Sequence, residues 1–288
     1  MKKIKLLLCL FMLTTLCGCS NSNKNESSKT LNAAMFWIST SLDPTNNYDG
    51  WVLSRIGVGE TLLKLNEKYE VEPYLAKSYE QIDDTTWKLT LKDSITFSNG
   101  KKVTGENVKS CLERAFEKNT RAIDYFDLNH VEAKGQDIYL YLNKSSGAIL
   151  NNLCEPLFTI YDASQSEEDI ASHPICTGPF VVDDFVSEKT IDTSKNKKYY
   201  DGKAKLDHVH FSQVADSDAR VLALQSGEVD LANTIDYSSL KLFRNNKDYQ
   251  VLEVLGPRTN VIYMNNETTF LSDLTIRKAL SYSVNRKS

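Results

Sequence analysis

One stretch, residues 86–116, constrains the fold most, because three local signals in it agree with one another. Apolar and polar residues alternate at its start, and this period of two predicts a strand with one apolar face. Asn99-Gly100 then predicts a turn, and Thr104 is a suitable N-cap for a helix that follows. The apolar face of the strand consists of Trp87, Leu89 and Leu91, and that of the helix of Val108, Cys111, Leu112, Ala115 and Phe116. The stretch therefore predicts a strand, a turn and an amphipathic helix, as in a mixed α/β domain.

The motifs of this region also resemble those of a known family. Pro73-x-Leu75-Ala76, the Trp87 strand, Phe97-Ser98-Asn99-Gly100 and the Thr104–Val108 helix start occur in one order at regular spacing. This combination resembles the extracytoplasmic solute-binding proteins of family 5, which feed ABC importers of peptides and nickel. Five later or flanking segments are similar to the same family: Leu42–Pro44, Thr177–Phe180, Asn196–Leu206, Gly227–Asp230 and the helix over residues 273–284.

The resemblance implies an α/β fold of the periplasmic-binding-protein type II kind. Residues 31–61 and 176–267 would form lobe I, and residues 62–175 an inserted β-rich subdomain. Residues 268–288 would begin lobe II. Members of the family continue well beyond this length, so we expect a truncated chain whose second lobe is largely missing.

Local patterns predict further elements outside the 86–116 stretch. We predict a helix over residues 146–153 and strands over residues 251–256 and 261–265. A terminal helix over residues 273–284 would turn Ile276, Leu280 and Val284 inward.

The first residues have the pattern of a targeting segment. Three lysines precede an apolar run over residues 6–16 that is too short to span a bilayer as a helix. Leu16-Cys17-Gly18-Cys19 resembles the lipobox of bacterial lipoproteins, which implies cleavage after residue 18 and a lipid on Cys19. The alternative is an ordinary cleaved signal peptide with a chance cysteine. Residues 20–30 contain no apolar side chain, so residues 19–30 are predicted to be a flexible tether outside the cell.

Charge and cysteine content exclude other classes. The chain carries 34 basic and 38 acidic residues with no basic stripe interleaved with aromatics, which argues against a nucleic-acid partner. Three cysteines remain after the tether, namely Cys111, Cys154 and Cys176. Whether any two of them form a disulfide stays open, although Cys111 falls on the apolar helix face.

Motifs for catalysis or metal binding are missing from the sequence. It contains no Gly-x-Ser-x-Gly elbow and no His-Glu-x-x-His, and Gly100–Gly105 has P-loop spacing without the Lys-Ser/Thr pair. His208 and His210 share a strand face, but no third ligand accompanies them. We therefore predict a binding protein without cofactor or metal. The alternatives are a lipid-anchored hydrolase or peptidase and a non-functional fragment.

The family resemblance also implies where a solute binds. The loop after Leu42–Pro44 lines the cleft in the family, which makes Tyr48, Asp49 and Trp51 candidates. Arg258, Asn260 and Tyr263 are candidates near a hinge over residues 256–260.

The ligand class stays open from sequence. We expect a short peptide, or nickel or a nickel chelate, although Leu157 stands where the nickel branch carries an arginine. The expected partners are ABC permease subunits and the bacterial cell membrane, through the lipid. We expect a monomer that closes around its solute by a hinge motion.

Overall fold

The computed structural model describes residues 28–254, 256 and 261–285. The described residues divide into two compact units, with the boundary between Ser239 and Leu240. The strands in chain order are β1 (Thr30–Met35), β2 (Leu63–Leu65), β3 (Val71–Pro73), β4 (Ala76–Gln81), β5 (Thr86–Leu91), β6 (Leu128–Lys134), β7 (Asp137–Leu142), β8 (Phe180–Val186), β9 (Thr190–Lys195), β10 (His208–Gln213) and β11 (Leu231–Ala232). The helices are α1 (Gly50–Arg55), α2 (Gly105–Lys118), α3 (Ala122–Tyr125), α4 (Ile149–Asn152), α5 (Glu167–Ser172), α6 (Ser217–Ser226) and α7 (Leu274–Ser283), with 3₁₀ turns at Pro156–Phe158 and Tyr237–Leu242.

A mixed five-stranded sheet in the order β11-β1-β10-β9-β8 forms the base of the first unit. Strand β1 runs parallel to β10 and β11, whereas β8, β9 and β10 pair antiparallel. The chain leaves this sheet after β1 and returns to it at β8. The residues in between carry every other strand of the described structure, including β2 and β3, which pair with each other.

An antiparallel sheet in the order β4-β5-β7-β6 lies in that intervening segment. The predictions for residues 86–116 are confirmed here. Gly100 adopts a φ of +90°, and the Thr104 side chain caps α2 and accepts a hydrogen bond from the Asn107 amide. The apolar face of α2 is buried together with Leu89, Leu91, Ile138 and Leu140, so one continuous core joins the helix to the sheet.

Two predictions for short elements are wrong. The helix predicted over residues 146–153 is confined to α4. The strands predicted over residues 251–256 and 261–265 are absent from the described parts of both segments. A strand is stable only when a neighbour completes its hydrogen bonds, and no described strand pairs with either segment.

The second unit contains α7, as predicted, with the Asp273 side chain accepting from the Thr275 amide at 2.7 Å. The predicted inward face is wrong, because Leu280 and Val284 are both 46% exposed. Phe243 and Tyr249 pack edge to face with ring centroids 4.9 Å apart in the same unit. Among the described helices, none is both long and apolar enough to cross a membrane.

The cysteines after the tether are all free thiols in the described structure. Cys111 and Cys176 are buried, and the Cys111 thiol lies 3.1 Å from the backbone oxygen of Tyr161. Burial raises the pKa of Cys111 to about 12 and that of Cys154 to about 11. These thiols are therefore protonated at neutral pH and unsuited to nucleophilic chemistry.

Candidate functional site

The loop between β1 and α1 is fixed to α2 by a buried ion pair. Both guanidinium Nη atoms of Arg114 donate to the carboxylate of Asp43, at 2.6 and 2.9 Å. Arg114 also donates to the hydroxyls of Thr45 at 2.8 Å and Tyr161 at 2.9 Å. Burial by itself raises the pKa of Asp43, but the donors Arg114 and Thr45 outweigh it and hold the pKa below its usual value. The loop therefore starts from a charged, rigidly bonded anchor.

The tip of the same loop is held by residues that follow α2. The amide of Asn119 donates to the backbone oxygens of Thr45 at 3.0 Å and Asn47 at 3.2 Å. Arg121 donates to the Asn47 oxygen at 2.9 Å. Asn47 adopts a φ of +46°, which a non-glycine residue keeps only where its surroundings hold it. These bonds fix the direction in which Tyr48 leaves the loop.

Five side chains around this loop form a mixed aromatic and charged surface. The Arg121 guanidinium carbon lies 3.7 Å from the Tyr48 ring centroid, and Nη2 donates to the Tyr125 hydroxyl at 2.7 Å. The Trp51 indole donates to a Glu155 carboxylate oxygen at 2.8 Å. Tyr48 is 54% and Trp51 38% exposed, with Arg121 over one face of Tyr48 and the Arg55 guanidinium carbon 5.5 Å from the Trp51 ring centroid. We call Tyr48, Trp51, Arg121, Tyr125 and Glu155 the aromatic–guanidinium surface.

The electrostatics of this surface couple its members. Burial raises the pKa of Glu155, against the hydrogen bonds that Trp51 and Tyr125 donate to it. Burial and the neighbouring Glu155 carboxylate raise the pKa of Tyr125 to about 12. Arg121 thus supplies a cation within a setting of aromatic faces and one shielded carboxylate, which suits recognition of a zwitterionic or chelated solute.

A cleft of about 350 Å³ opens beside Trp51 and extends this surface. Glu60 and Tyr74 line it, and the Lys64 ammonium lies 5.1 Å from the Tyr74 ring centroid. The Glu60 carboxylate is satisfied by the hydroxyls of Thr177 at 2.7 Å and Tyr199 at 2.9 Å. The cleft therefore has space for part of a small solute, while Glu60 is already bonded within the protein.

The structure brings together two of the residues predicted from sequence. Tyr48 and Trp51 lie on the aromatic–guanidinium surface, whereas Asp49 is buried below it and accepts a hydrogen bond from the Asn46 amide at 2.6 Å. Burial raises the pKa of Asp49 to about 6. Tyr263 lies in the second unit and is 92% exposed. Cys19, Arg258 and Asn260 lie outside the described residues.

Sequence reasoning missed Arg121, Tyr125 and Glu155. Arg121 and Tyr125 follow the C-terminus of α2, and Glu155 precedes the Pro156 turn. Within the described residues, no group of three or more His, Cys, Asp or Glu side chains could hold a metal ion. His210, the partner of His208 in the sequence pattern, has its Nδ1 atom 2.6 Å from Asp192.

Comparison with known proteins identifies the family. Residues 70–288 match the family described as bacterial extracellular solute-binding proteins, family 5. The chain belongs to this family. Its members are binding proteins, which agrees with the prediction of a non-enzyme at the level of the family.

Two curated relatives and one solved structure set the scale of the similarity. The chain is 32% identical over 272 residues to the nickel-binding protein NikA of Staphylococcus aureus, across 94% of this chain and 54% of NikA. It is 27% identical over 235 residues to the glutathione-binding protein GsiB of Escherichia coli, across 78% of this chain and 46% of GsiB. The crystal structure of S. aureus NikA with Ni(L-His)2 superposes with a TM-score of 0.72 at 33% identity, covering 76% of this chain and 46% of that one.

The family 5 chain thus has the α/β fold of periplasmic binding proteins, as the motif resemblance implied. It spans about half the length of the curated relatives it matches. The division into residues 31–61 with 176–267, 62–175 and 268–288 stays a prediction.

Proposed function

We propose that this chain supplies the first lobe of an extracytoplasmic receptor that captures nickel as an amino-acid chelate and delivers it to an ABC permease. Cys19 carries the lipid that holds the receptor on the outer face of the cell membrane. The observation that carries the proposal is the aromatic–guanidinium surface. It presents partly exposed tyrosine and tryptophan rings together with the Arg121 cation, which stacks on Tyr48.

The chemistry of that surface favours a ligand with rings and carboxylates. An imidazole or another planar ring stacks on Tyr48 or Trp51, and Arg121 pairs with a carboxylate. Because the described residues offer no cluster of metal-ligating side chains, the nickel ion would arrive with its donors supplied by the chelating amino acid. The similarity to a nickel-binding protein over 94% of the chain supports the same ligand class.

A short peptide is the second candidate, and Leu157 favours it. This residue follows Pro156 at the position where the sequence resemblance implies an arginine for nickel chelates, and it is buried, 3% exposed. The chain therefore lacks one of the expected cations for a chelate. The similarity to GsiB, which is named for glutathione, supports a peptide ligand as well.

Titration calorimetry of the complete gene product separates these ligands. The probes are free Ni²⁺, Ni²⁺ with excess L-histidine, glutathione and a mixture of tripeptides. The proposal predicts saturable heat with nickel–histidine, much weaker heat with free Ni²⁺ and none with the peptides. Saturable heat with peptides alone would show that the ligand is a peptide and not a nickel chelate. Hydrolysis of glutathione or of a tripeptide would favour a hydrolase.

A matched pair of variants locates the binding surface. Arg121→Gln removes the cation, and we expect it to weaken nickel–histidine binding at least tenfold, the scale of one charge-assisted hydrogen bond of about 1.5–3 kcal/mol. Lys118→Gln removes a lysine three positions earlier whose ammonium faces Glu167 at 3.4 Å, and it should leave the affinity unchanged. Equal affinities for both variants would place the solute elsewhere.

A further inference from the structure

Strand β1 enters the five-stranded sheet at the end where β10 also begins. The Lys29 amide donates to the Asp207 carboxylate at 2.9 Å, and Thr30 is the register partner of His208. The loop that joins β9 to β10, residues 196–207, therefore lies at the same end as the start of β1. Any tether to a membrane would leave the domain from this end.

This end carries an excess of positive charge. Residues 195–207 and Lys29 together hold six lysines and two aspartates, a formal excess of four positive charges, whereas the whole chain has a formal charge of −4. The lysines are Lys29, Lys195, Lys197, Lys198, Lys203 and Lys205, and all except the half-buried Lys195 are exposed. We call these six residues the basic end.

Contacts within the unit neutralise one of these lysines, and the hydrogen bond that Lys198 donates to a backbone oxygen leaves its charge uncompensated. Lys195 pairs with Asp207, whereas the Lys198 ammonium donates to the backbone oxygen of Asn99 at 2.8 Å. That contact places Lys198 beside the turn that precedes the exposed Lys102. Glu228 and Asp230 precede β11, which runs parallel to β1, so they lie at the same end of the sheet on its opposite edge, and the Asp230 carboxylate accepts from the Asn32 amide at 2.8 Å. With these two carboxylates the formal excess at this end is two positive charges, and the lysines are concentrated in the β9–β10 loop.

We propose that the basic end lies against the anionic headgroups of the membrane to which the receptor is anchored. The inference rests on the proposed lipid at Cys19. Lys29 lies ten positions after Cys19, so even a fully extended chain keeps them within about 35 Å. Each lysine close to an anionic surface increases the binding constant for that surface by about fivefold. The attraction decays over a Debye length of about 10 Å.

An oriented domain follows from this arrangement. With the β9–β10 loop against the lipid, the sheet stands with the opposite ends of β1 and β10 away from the membrane. The aromatic–guanidinium surface belongs to segments that follow the far end of β1. The domain then keeps one orientation relative to the membrane, with the solute site on the side away from the headgroups.

Vesicle sedimentation tests the inference without the lipid anchor. The complete gene product, prepared without the residues up to and including Cys19, is mixed with phosphatidylcholine vesicles that contain either no or 30% phosphatidylglycerol at low salt. We expect binding to the anionic vesicles only, lost at 0.5 M salt. The triple variant Lys197→Gln, Lys203→Gln, Lys205→Gln should bind roughly a hundredfold more weakly, from about fivefold per lysine.

The matched control removes three exposed lysines from other places. Lys68 lies between β2 and β3, Lys144 follows β7, and Lys189 lies at the opposite end of the five-stranded sheet. The Lys68→Gln, Lys144→Gln, Lys189→Gln variant should keep the binding of the parent chain within a few-fold. An equal loss in both triple variants, or equal binding to neutral vesicles, would overturn the inference.

Two further outcomes separate this inference from the others. If the 197/203/205 variant binds vesicles normally but impairs uptake in cells, the face docks a protein and the lipid proposal is wrong. Nickel–histidine affinity in solution should be the same in the parent and both triple variants. If the parent chain does not bind nickel–histidine, the proposed function is refuted, whereas the result on anionic vesicles still stands.

Discussion

The Arg114–Asp43 pair gives the sharpest stability prediction, because it ties the solute loop to α2. We expect Arg114→Met to remove a cation whose side chain is 11% exposed, opposite a carboxylate with the same exposure. Breaking a buried pair by deleting one partner costs about 3–5 kcal/mol, since the remaining charge is left uncompensated. Asp43 would keep two donors from Thr45, at 2.9 and 2.7 Å, so the lower figure of about 3 kcal/mol applies.

Urea unfolding followed by tryptophan fluorescence measures this change. The tryptophans of this sequence, Trp37, Trp51 and Trp87, all lie in the first unit, so their emission reports on it. In thermal unfolding followed by the same emission, the melting temperature of Arg114→Met should fall by about 6–12 °C, since 1 kcal/mol corresponds to about 2–4 °C for a unit of this size. Lys109→Met on the same helix is the control. Its pair with Glu113 is exposed and 3.9 Å long, and its loss should cost less than about 0.5 kcal/mol.

The pH dependence has a definite sign. The folded-state pKa of Asp43 is depressed, so the stability it contributes is present above its unfolded pKa of about 3.9 and is lost as pH falls through the folded value. The difference between the parent and Arg114→Met should therefore shrink in acid below about pH 4. A loss below about 1 kcal/mol at pH 7, or a loss that does not change with pH, would refute the assignment of a buried ion pair.

Three further changes are predicted for the same unit. Asp49→Asn should stabilise the fold by up to about 3 kcal/mol at pH 7 and not at all below about pH 4. The reason is that burial raises the pKa of Asp49 to about 6, so ionising this carboxyl destabilises the folded state as pH rises from about 4 to above 6. Urea unfolding at both pH values checks this. Gly50→Ala should cost about 1–3 kcal/mol, since a Cβ would lie 2.3 Å from the Pro156 oxygen, whereas Gly147→Ala, with nothing within 4 Å, should be neutral in the same assay. Thr104→Ala should cost about 1 kcal/mol through the lost cap of α2, and faster amide exchange confined to the first turn of the helix would confirm it.

Local chemistry was enough to predict the region from β5 to α2. The positive φ of Gly100, the Thr104 cap and the buried face of α2 each depend on residues only a few positions apart. The strands predicted over residues 251–256 and 261–265 failed for the opposite reason. Their apolar patterns were present, but a strand also needs a partner from elsewhere in the chain, which a local pattern does not supply.

The candidate site was predictable only in part for the same physical reason. The loop motif pointed to Tyr48 and Trp51, but their partners come from the segment after α2 and from the turn at Pro156. No spacing rule connects such distant positions, and only the packing of the loop on α2 brings Arg121 to Tyr48. The burial of Asp49 was equally hidden, because a carboxylate next to the exposed Tyr48 gives no local sign that it is buried.

Fluorescence quenching of Trp51 by nickel–histidine tests most directly whether solute is captured on this surface. For the complete gene product, we predict saturable quenching with the same midpoint as the calorimetric titration. Trp51→Phe should abolish most of that quenching while some binding heat persists. Saturable heat with no change in emission, or undiminished quenching in Trp51→Phe, would show that the solute binds away from Trp51 and would contradict the account.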